Sequence, residues 1–391
     1  MPPACALLLL AAGLGAPPYD HDPGVAEELR ARGGLPNFVA KLKAGASVKV
    51  AYLGGSITAA NGWRPKTLAW LREQYPRATI TEINAAISGT GSDYSACRVR
   101  GDVLVQQPDL VFLECRVNGG GGFERQSVEG VVRQIWAAAP RCDLCFVYTI
   151  GAWMVKELEA GRQPGFGRVM EMVANAYGIP TIDLGVEVAR RIKDGTLAFN
   201  KVADQPEKPF FANDAGHNLY RDVIARSLLA LQAVGAPGDH ALPTPLAPDR
   251  WQIATLLPIE KVTRSTGWTP VDTATDKVYR DDFGRTHAML RGAVKCAQVG
   301  ETLTVKWTGT TVGLSDIPYG EPVVIEAVVD GGKPIQLRRT QTELIRKFAR
   351  FCYLPAQPAG EHTVVFTVKS LPAGQAYYAG HVLVVGVPAG P

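Results

Sequence analysis

The chain has 391 residues, 46% of them hydrophobic and 20% charged, a balance that excludes a disordered or fibrous protein and predicts about two folded, soluble domains. Its 41 basic and 37 acidic residues leave a net charge of +4. The two signs are interspersed, and no basic block follows a phosphate backbone, so nucleic acid is excluded as the expected partner.

In chain order, residues 1–16 carry an apolar run at 4–12 followed by small residues, the core of a candidate secretory signal. This predicts export to the periplasm or the extracellular space, and a cytoplasmic protein if the segment is not a functional signal. No other stretch approaches the ~20 apolar residues of a membrane span. Cys115 and Cys145 lie inside apolar, strand-like runs, where cysteine behaves as a small hydrophobe, so no disulfide framework is expected. Cys142 and Cys145 form a C-x-x-C with no second pair at zinc spacing, which predicts a structural role and no metal.

From residue 48 to about 231, short apolar β-type runs alternate with helical ones, the pattern of a parallel sheet covered on both faces. Strands are expected at 48–53, 79–83, 110–114, 144–149 and 181–184, and helices at 65–74, 127–138, 167–177, 186–193 and 216–233. Ala236-Pro237-Gly238 and the prolines at 243, 245 and 248 then predict a stiff linker. Beyond it come β-type runs at 302–307, 322–329, 348–353, 362–368 and 381–385, with Asp330-Gly331-Gly332 as a hairpin turn. The expected domains are 17–238, α/β, and 242–391, an all-β sandwich of jelly-roll type. Trp251, Trp268 and Trp307 are candidates for stacking on sugar rings, with packing in the sandwich core as the alternative.

The first strand runs into Leu53-Gly54-Gly55-Ser56-Ile57-Thr58. In an open α/β sheet ligands bind at the carboxyl ends of strands, and two glycines let the chain turn sharply and expose the Ser56 hydroxyl. A serine nucleophile needs a base, and between residues 22 and 239 the single histidine is His217. It follows Asp214 by three residues, so a loop through Ala215-Gly216 can aim both side chains one way. The carboxylate then fixes the imidazole tautomer. Acyl transfer also needs donors for the oxyanion. Gly89, in the loop after the second strand, offers a backbone N–H, and Asn118, after the third, offers a side-chain amide.

The order Ser56, Gly89, Asn118, His217 resembles the SGNH (GDSL-like) hydrolase superfamily over residues 48–231. The run from Gly54 to Trp63 and the later Gly89-Thr90-Gly91-Ser92 look like bacterial carbohydrate esterases with a C-terminal β-sandwich. The resemblance implies a flavodoxin-like three-layer α/β/α fold with a five-stranded parallel sheet in the order 2-1-3-4-5. It implies Ser56 as nucleophile, His217 as base with Asp214 as its partner, and an oxyanion hole of the Ser56 N–H, Gly89 and Asn118. No cofactor or metal is called for, and the expected substrate is an acylated, chiefly O-acetylated, oligo- or polysaccharide. One departure stands out: the family pattern is Asn-Asp, whereas Asn118 is followed by Gly119-Gly120-Gly121-Gly122, which predicts a mobile loop and a less firmly placed amide. The competing expectations are a lipid, aryl or thioester hydrolase of the same superfamily, and a catalytically weak carbohydrate-binding protein.

Overall fold

The structure, a computed structural model, describes residues 18–198, 214–247, 251–276, 278–279, 287–317, 322–339 and 349–389. The candidate signal segment lies outside them.

The α/β part comprises β1 (Leu29–Arg30), α1 (Pro36–Lys43), β2 (Ser47–Gly54), α2 (Ser56–Ala59), α3 (Trp63–Gln74), β3 (Thr79–Asn84), α4 (Ser92–Asp102), β4 (Leu110–Glu114), α5 (Glu124–Ala138), β5 (Asp143–Tyr148), α6 (Val155–Glu159), α7 (Gly165–Tyr177), β6 (Thr181–Asp183), α8 (Leu184–Lys193) and α9 (Asp214–Leu231). The sheet order is β1-β6-β5-β4-β2-β3. Strands β2 to β6 are parallel in the expected order, and the two-residue β1 adds an antiparallel edge.

Side-chain alternation along the strands divides the interior in two. Val50, Tyr52, Leu110, Phe112, Cys145 and Val147 face the layer of α1, α3, α8 and α9. Ala51, Leu53, Val111, Leu113, Phe146 and Tyr148 face the other layer. Helix α5 meets that second face with Val128, Val131, Val132 and Ile135, all buried, at the i, i+3, i+4, i+7 spacing of an apolar stripe. Helix α8 starts where the Asp183 carboxylate caps it, accepting from the Gly185 N–H at 2.9 Å. Helix α7 stops at Gly178, whose φ of +68° is the left-handed conformation of a helix terminus.

Helix α4 is the element missing from the periodicity. Its residues Ser92 to Val99 are all buried, because it is sandwiched between the sheet, α5 and the second domain. A helix covered on every side carries no amphipathic stripe to detect.

The second domain holds β7 (Ala254–Leu257), β8 (Thr263–Arg264), β9 (Thr269–Pro270), β10 (Val294–Cys296), β11 (Thr302–Asp316), β12 (Val323–Val329), β13 (Ile335–Arg339), β14 (Arg350–Tyr353), β15 (Gly360–Ser370) and β16 (Tyr377–Pro388), all antiparallel. The long β11 pairs with β15 through its first half and with β14 through its last four residues. Register shifts between Gly309 and Thr311 and between Leu314 and Asp316 are the bulges by which a strand turns a corner between layers. Asp330 and Gly331 have φ of +50° and +68°, and the Gly332 N–H closes the turn on the Val329 carbonyl at 2.8 Å, the expected Asp-Gly turn chemistry.

One expectation needs correction. The proline-rich segment is not a free spacer: the His240 ring stacks on Trp136 at 4.5 Å, Arg133 donates to the Pro243 carbonyl at 2.7 Å, and the Glu129 carboxylate accepts from the Leu246 and Ala247 N–H groups at 2.6 and 2.9 Å. It is fastened along α5 by groups that proline composition does not reveal. Of the two readings of the tryptophans, packing in the core holds, since Trp251, Trp268 and Trp307 are 1%, 7% and 1% exposed. Trp251 packs on Phe123 of the first domain, Trp268 on Tyr377 and Trp307 on His362; the interior gains more from their apolar area than the surface would.

Among the described residues no helix is long and apolar enough to cross a membrane, and the cysteines there are free.

Candidate active site

The site lies where β2, β3 and β4 end. Gly55 precedes α2 in an extended conformation, and half-buried Ser56 is the first residue of the helix. A nucleophile at this position sits at the positive end of a short helix, against its unpaired N–H groups. The loop after β3 is tied to the β2 terminus: the Ile87 N–H donates to the Gly54 carbonyl at 2.9 Å and the Ala85 N–H to the Tyr52 carbonyl at 3.0 Å. This brings exposed Gly89, with φ of +74°, beside the turn. The loop after β4 carries Asn118, whose Oδ1 occupies the space that a Cβ on Gly55 would need. Glycine at 55 is thus a packing requirement of the asparagine.

His217 arrives from the opposite side, in the first turn of α9. It is 6% exposed, and its imidazole covers Gly62 so closely that a Cβ there would run into the ring. The Trp63 N–H donates to His217 Nδ1 at 3.1 Å, and Tyr220, one turn on, stands edge-to-face with the imidazole at 5.9 Å. The Tyr220 hydroxyl accepts from the Ile150 N–H at 3.2 Å, which pins the start of α9 to the end of β5. With Nδ1 accepting, the neutral ring carries its proton on Nε2. A triad in which Asp214 accepts from Nδ1–H therefore requires the imidazole to turn out of the Trp63 contact. Asp214 is the first residue of α9; its side chain lies outside the described residues.

Beneath the turn is a carboxyl group that the sequence reading passed over. Glu114, the last residue of β4, is 1% exposed; it accepts from the Thr58 hydroxyl at 3.1 Å and the Thr149 hydroxyl at 2.9 Å. Burial pushes its pKa up, and these donors, with the Gly55 N–H, pull it back. An acidic residue closing an otherwise apolar strand was the available signal. Next to it, buried Arg116 donates to the Thr149 carbonyl, to Gln163 and to Asp183 at 2.6 Å, which binds the ends of β4, β5 and β6 into one rigid base.

Of the four glycines after Asn118, Gly120 and Gly121 pack against the start of α4, while Gly119 and Gly122 have open space beside them. The Ser92 N–H donates to the Gly119 carbonyl at 2.9 Å, and the Ser92 hydroxyl bonds Ser127 at 2.6 Å. A Cβ on Gly91 would strike the Gly119 carbonyl, and one on Gly121 would strike Asp93. The start of α4, which follows Gly89, thus grips the loop that follows Asn118, so the placement of the amide does not depend on an aspartate at position 119.

The second domain also reaches this region. Arg350, at the start of β14, brings its Nη1 to 3.0 Å from where a Cβ on Gly89 would lie.

No protein-family model matches the chain, and no curated protein matches it. Solved structures do. A two-domain esterase active on acetylated mannans, co-crystallised with mannopentaose, superposes with a TM-score of 0.75 at 20% identity, covering 95% of this chain and 99% of that one. A further crystal structure of a two-domain esterase active on acetylated mannans gives 0.75 at 18% identity, covering 95% of this chain and 100% of that one. The likeness shows the fold: a three-layer α/β/α domain followed by an antiparallel β-domain. In both parts it follows the architecture of the acetylmannan esterases end to end.

Proposed function

We propose that the protein is a serine esterase that removes O-acetyl groups from carbohydrate. The observation that carries this reading is convergence: the nucleophile turn at Ser56 is packed against Asn118 on one side, tied to the Gly89 loop on another, and followed by a backbone N–H that holds His217. In this mechanism the imidazole turns out of the Trp63 contact, which frees Nε2 as the base with Nδ1–H toward Asp214. Ser56 Oγ then attacks the ester carbonyl as His217 Nε2 takes its proton. The Ser56 and Gly89 N–H groups and the Asn118 amide receive the oxyanion, and the alcohol leaves with the proton from the imidazolium. Water then enters by the same path and releases acetate. Asp214 is the proposed orienting carboxylate. The small, polar surroundings of Ser56 and Asn118 favour a short acyl group over a long apolar chain. The likeness to esterases of acetylated mannans supports a glycan as the alcohol part.

Ser56→Ala should lower 4-nitrophenyl acetate turnover by at least ~10³-fold with an unchanged circular dichroism spectrum, since a lost loop hydroxyl leaves no core cavity. Fluorophosphonate should label Ser56 and no other residue. Residual turnover within tenfold of wild type would overturn the assignment. Acetate release across a panel of acetylated mannans, xylans and pectins then identifies the glycan.

A further inference from the structure

Strand β4 reads Leu110-Val111-Phe112-Leu113-Glu114, and all five residues are buried. An apolar residue would complete such a strand without electrostatic cost, whereas a carboxylate taken out of water is costly unless its oxygens find donors. Glu114 finds them on two different elements. Its Oε2 accepts from Thr58, in α2, at 3.1 Å, and its Oε1 accepts from Thr149, just beyond β5, at 2.9 Å. Both threonines are fully buried, and the Gly55 N–H is a third donor.

Gly55 and Thr58 stand one residue before and two residues after Ser56, so the carboxylate holds the nucleophile turn on both sides. The fit is close. Gly54 pairs with Glu114 across the sheet, and a Cβ on Gly54 would lie 2.7 Å from the Glu114 carbonyl oxygen and 3.1 Å from the Thr58 hydroxyl. At the other end of the bridge, Arg116 fixes the Thr149 carbonyl through Nε at 3.0 Å and Nη2 at 2.8 Å. Ile150 follows, and its N–H donates to the Tyr220 hydroxyl on α9, one turn from His217. A continuous chain of bonded groups thus runs from the Ser56 turn through Glu114, Thr149 and Tyr220 to the helix that carries the base. The carboxyl itself is buried, so it touches no substrate and acts only through the groups it binds.

We propose that Glu114 is a positioning residue for the reaction: its carboxylate ties the Ser56 turn to the end of β5, and so fixes the spacing between the nucleophile and α9, from which His217 works. The proposal rests on the serine-esterase reading and deepens it, assigning the alignment of serine and histidine to a group outside the triad. A reacting group misplaced by about 1 Å loses roughly 10²-fold in rate, so the bridge acts on the chemical step and little on the binding of a small ester. Glutamine keeps the size of the side chain but replaces one acceptor oxygen by an amide donor. The threonine hydroxyls can turn to accept from it; the Gly55 N–H cannot. Glu114→Gln therefore loosens the turn without emptying the site.

The test compares the full chain with its Glu114→Gln, Thr58→Val and Thr149→Val variants. It reads kcat and KM on 4-nitrophenyl acetate, the rate of fluorophosphonate addition to Ser56, and thermal melting. Expected for Glu114→Gln is a fall of about tenfold or more in kcat and in labelling rate with KM within about threefold, and a smaller fall for each threonine variant. Added to Glu114→Gln, the threonine changes should cost little more, because they remove parts of the same bridge. A purely structural role lowers the melting temperature and leaves the folded protein labelling at the wild-type rate; that result overturns the proposal, as do additive losses. If Glu114→Gln does not fold, the two threonine variants decide, and unchanged labelling in both overturns it. Wild-type protein that neither labels at Ser56 nor turns over removes the esterase reading itself, whereas an active wild type with unperturbed variants removes only the positioning role.

Discussion

The imidazole of His217 rests against Gly62 and accepts a main-chain hydrogen bond from Trp63. Gly62→Ala drives the ring out of the Trp63 contact, which is also the movement the triad requires. We therefore expect kcat on 4-nitrophenyl acetate to stay within threefold of wild type; a loss of about a hundredfold, the ~10² cost of a ~1 Å displacement at a reacting group, would show that His217 acts from its present position. Asp93 yields a stability prediction with a definite sign. Its carboxyl is pushed up to about 6, chiefly by burial, so the native protein binds the proton more tightly than the unfolded chain. This stability is complete below the ordinary carboxylate pKa and is lost as pH rises through about 6. Asp93→Asn removes the penalty, raising stability at pH 8 by on the order of 2–3 kcal/mol and leaving pH 4 nearly unchanged. Thermal melts of both proteins at the two pH values decide it: an equal shift at both would mean that ionisation is not the cause.

At the scale of elements, the Gly89 and Asn118 loops are held by each other. The start of α4 grips the Gly119–Gly121 backbone, so a change in one loop should be felt in the other. Gly91→Ala sets a Cβ against the Gly119 carbonyl and should move Asn118 without touching it. The expected result is a tenfold or greater fall in kcat together with faster deuterium exchange at residues 118–122. Unchanged exchange with lost activity would instead place the damage at Gly89. The same packing accounts for two glycines of the run: Gly120 and Gly121 lie against Ser92 and Asp93 with no room for a Cβ.

For the whole molecule, the layer of α4, α5 and α7 shares one continuous apolar core with the β-domain. Tyr94 packs on Phe351, and Phe123 on Trp251 and Tyr353, while the Cys97 thiol meets the Tyr353 hydroxyl at 3.6 Å. The arrangement argues against a detachable module. A chain ending at Gly238 would uncover α4 and half of α5, and exposed apolar surface of this kind promotes association. It should aggregate or melt well below the full protein, and lose turnover of 4-nitrophenyl acetate and of acetylated glycan together. Calorimetry on the full chain should show one cooperative transition. A soluble truncated protein with normal small-ester turnover would show instead that the β-domain is a detachable module.

The sequence by itself determined the parallel sheet, because doubly covered strands such as 110–114 and 143–148 must be short, apolar and separated by helices; the strand order followed from the family resemblance of its motifs. It also singled out Ser56, Gly89, Asn118 and His217, since glycine before a serine and a single histidine over a long span are local signals. What it could not determine are relations between distant segments. Helix α4 has no period because neighbours from three directions bury it, and the prolines after residue 236 look like a spacer until Arg133 and Glu129 fasten them. The role of Glu114 depends on Thr58 and Thr149, far apart in the chain, and Asp93 gains its meaning only when β14 closes over it. Local propensity is written residue by residue, whereas burial and the pairing of charges belong to the folded chain.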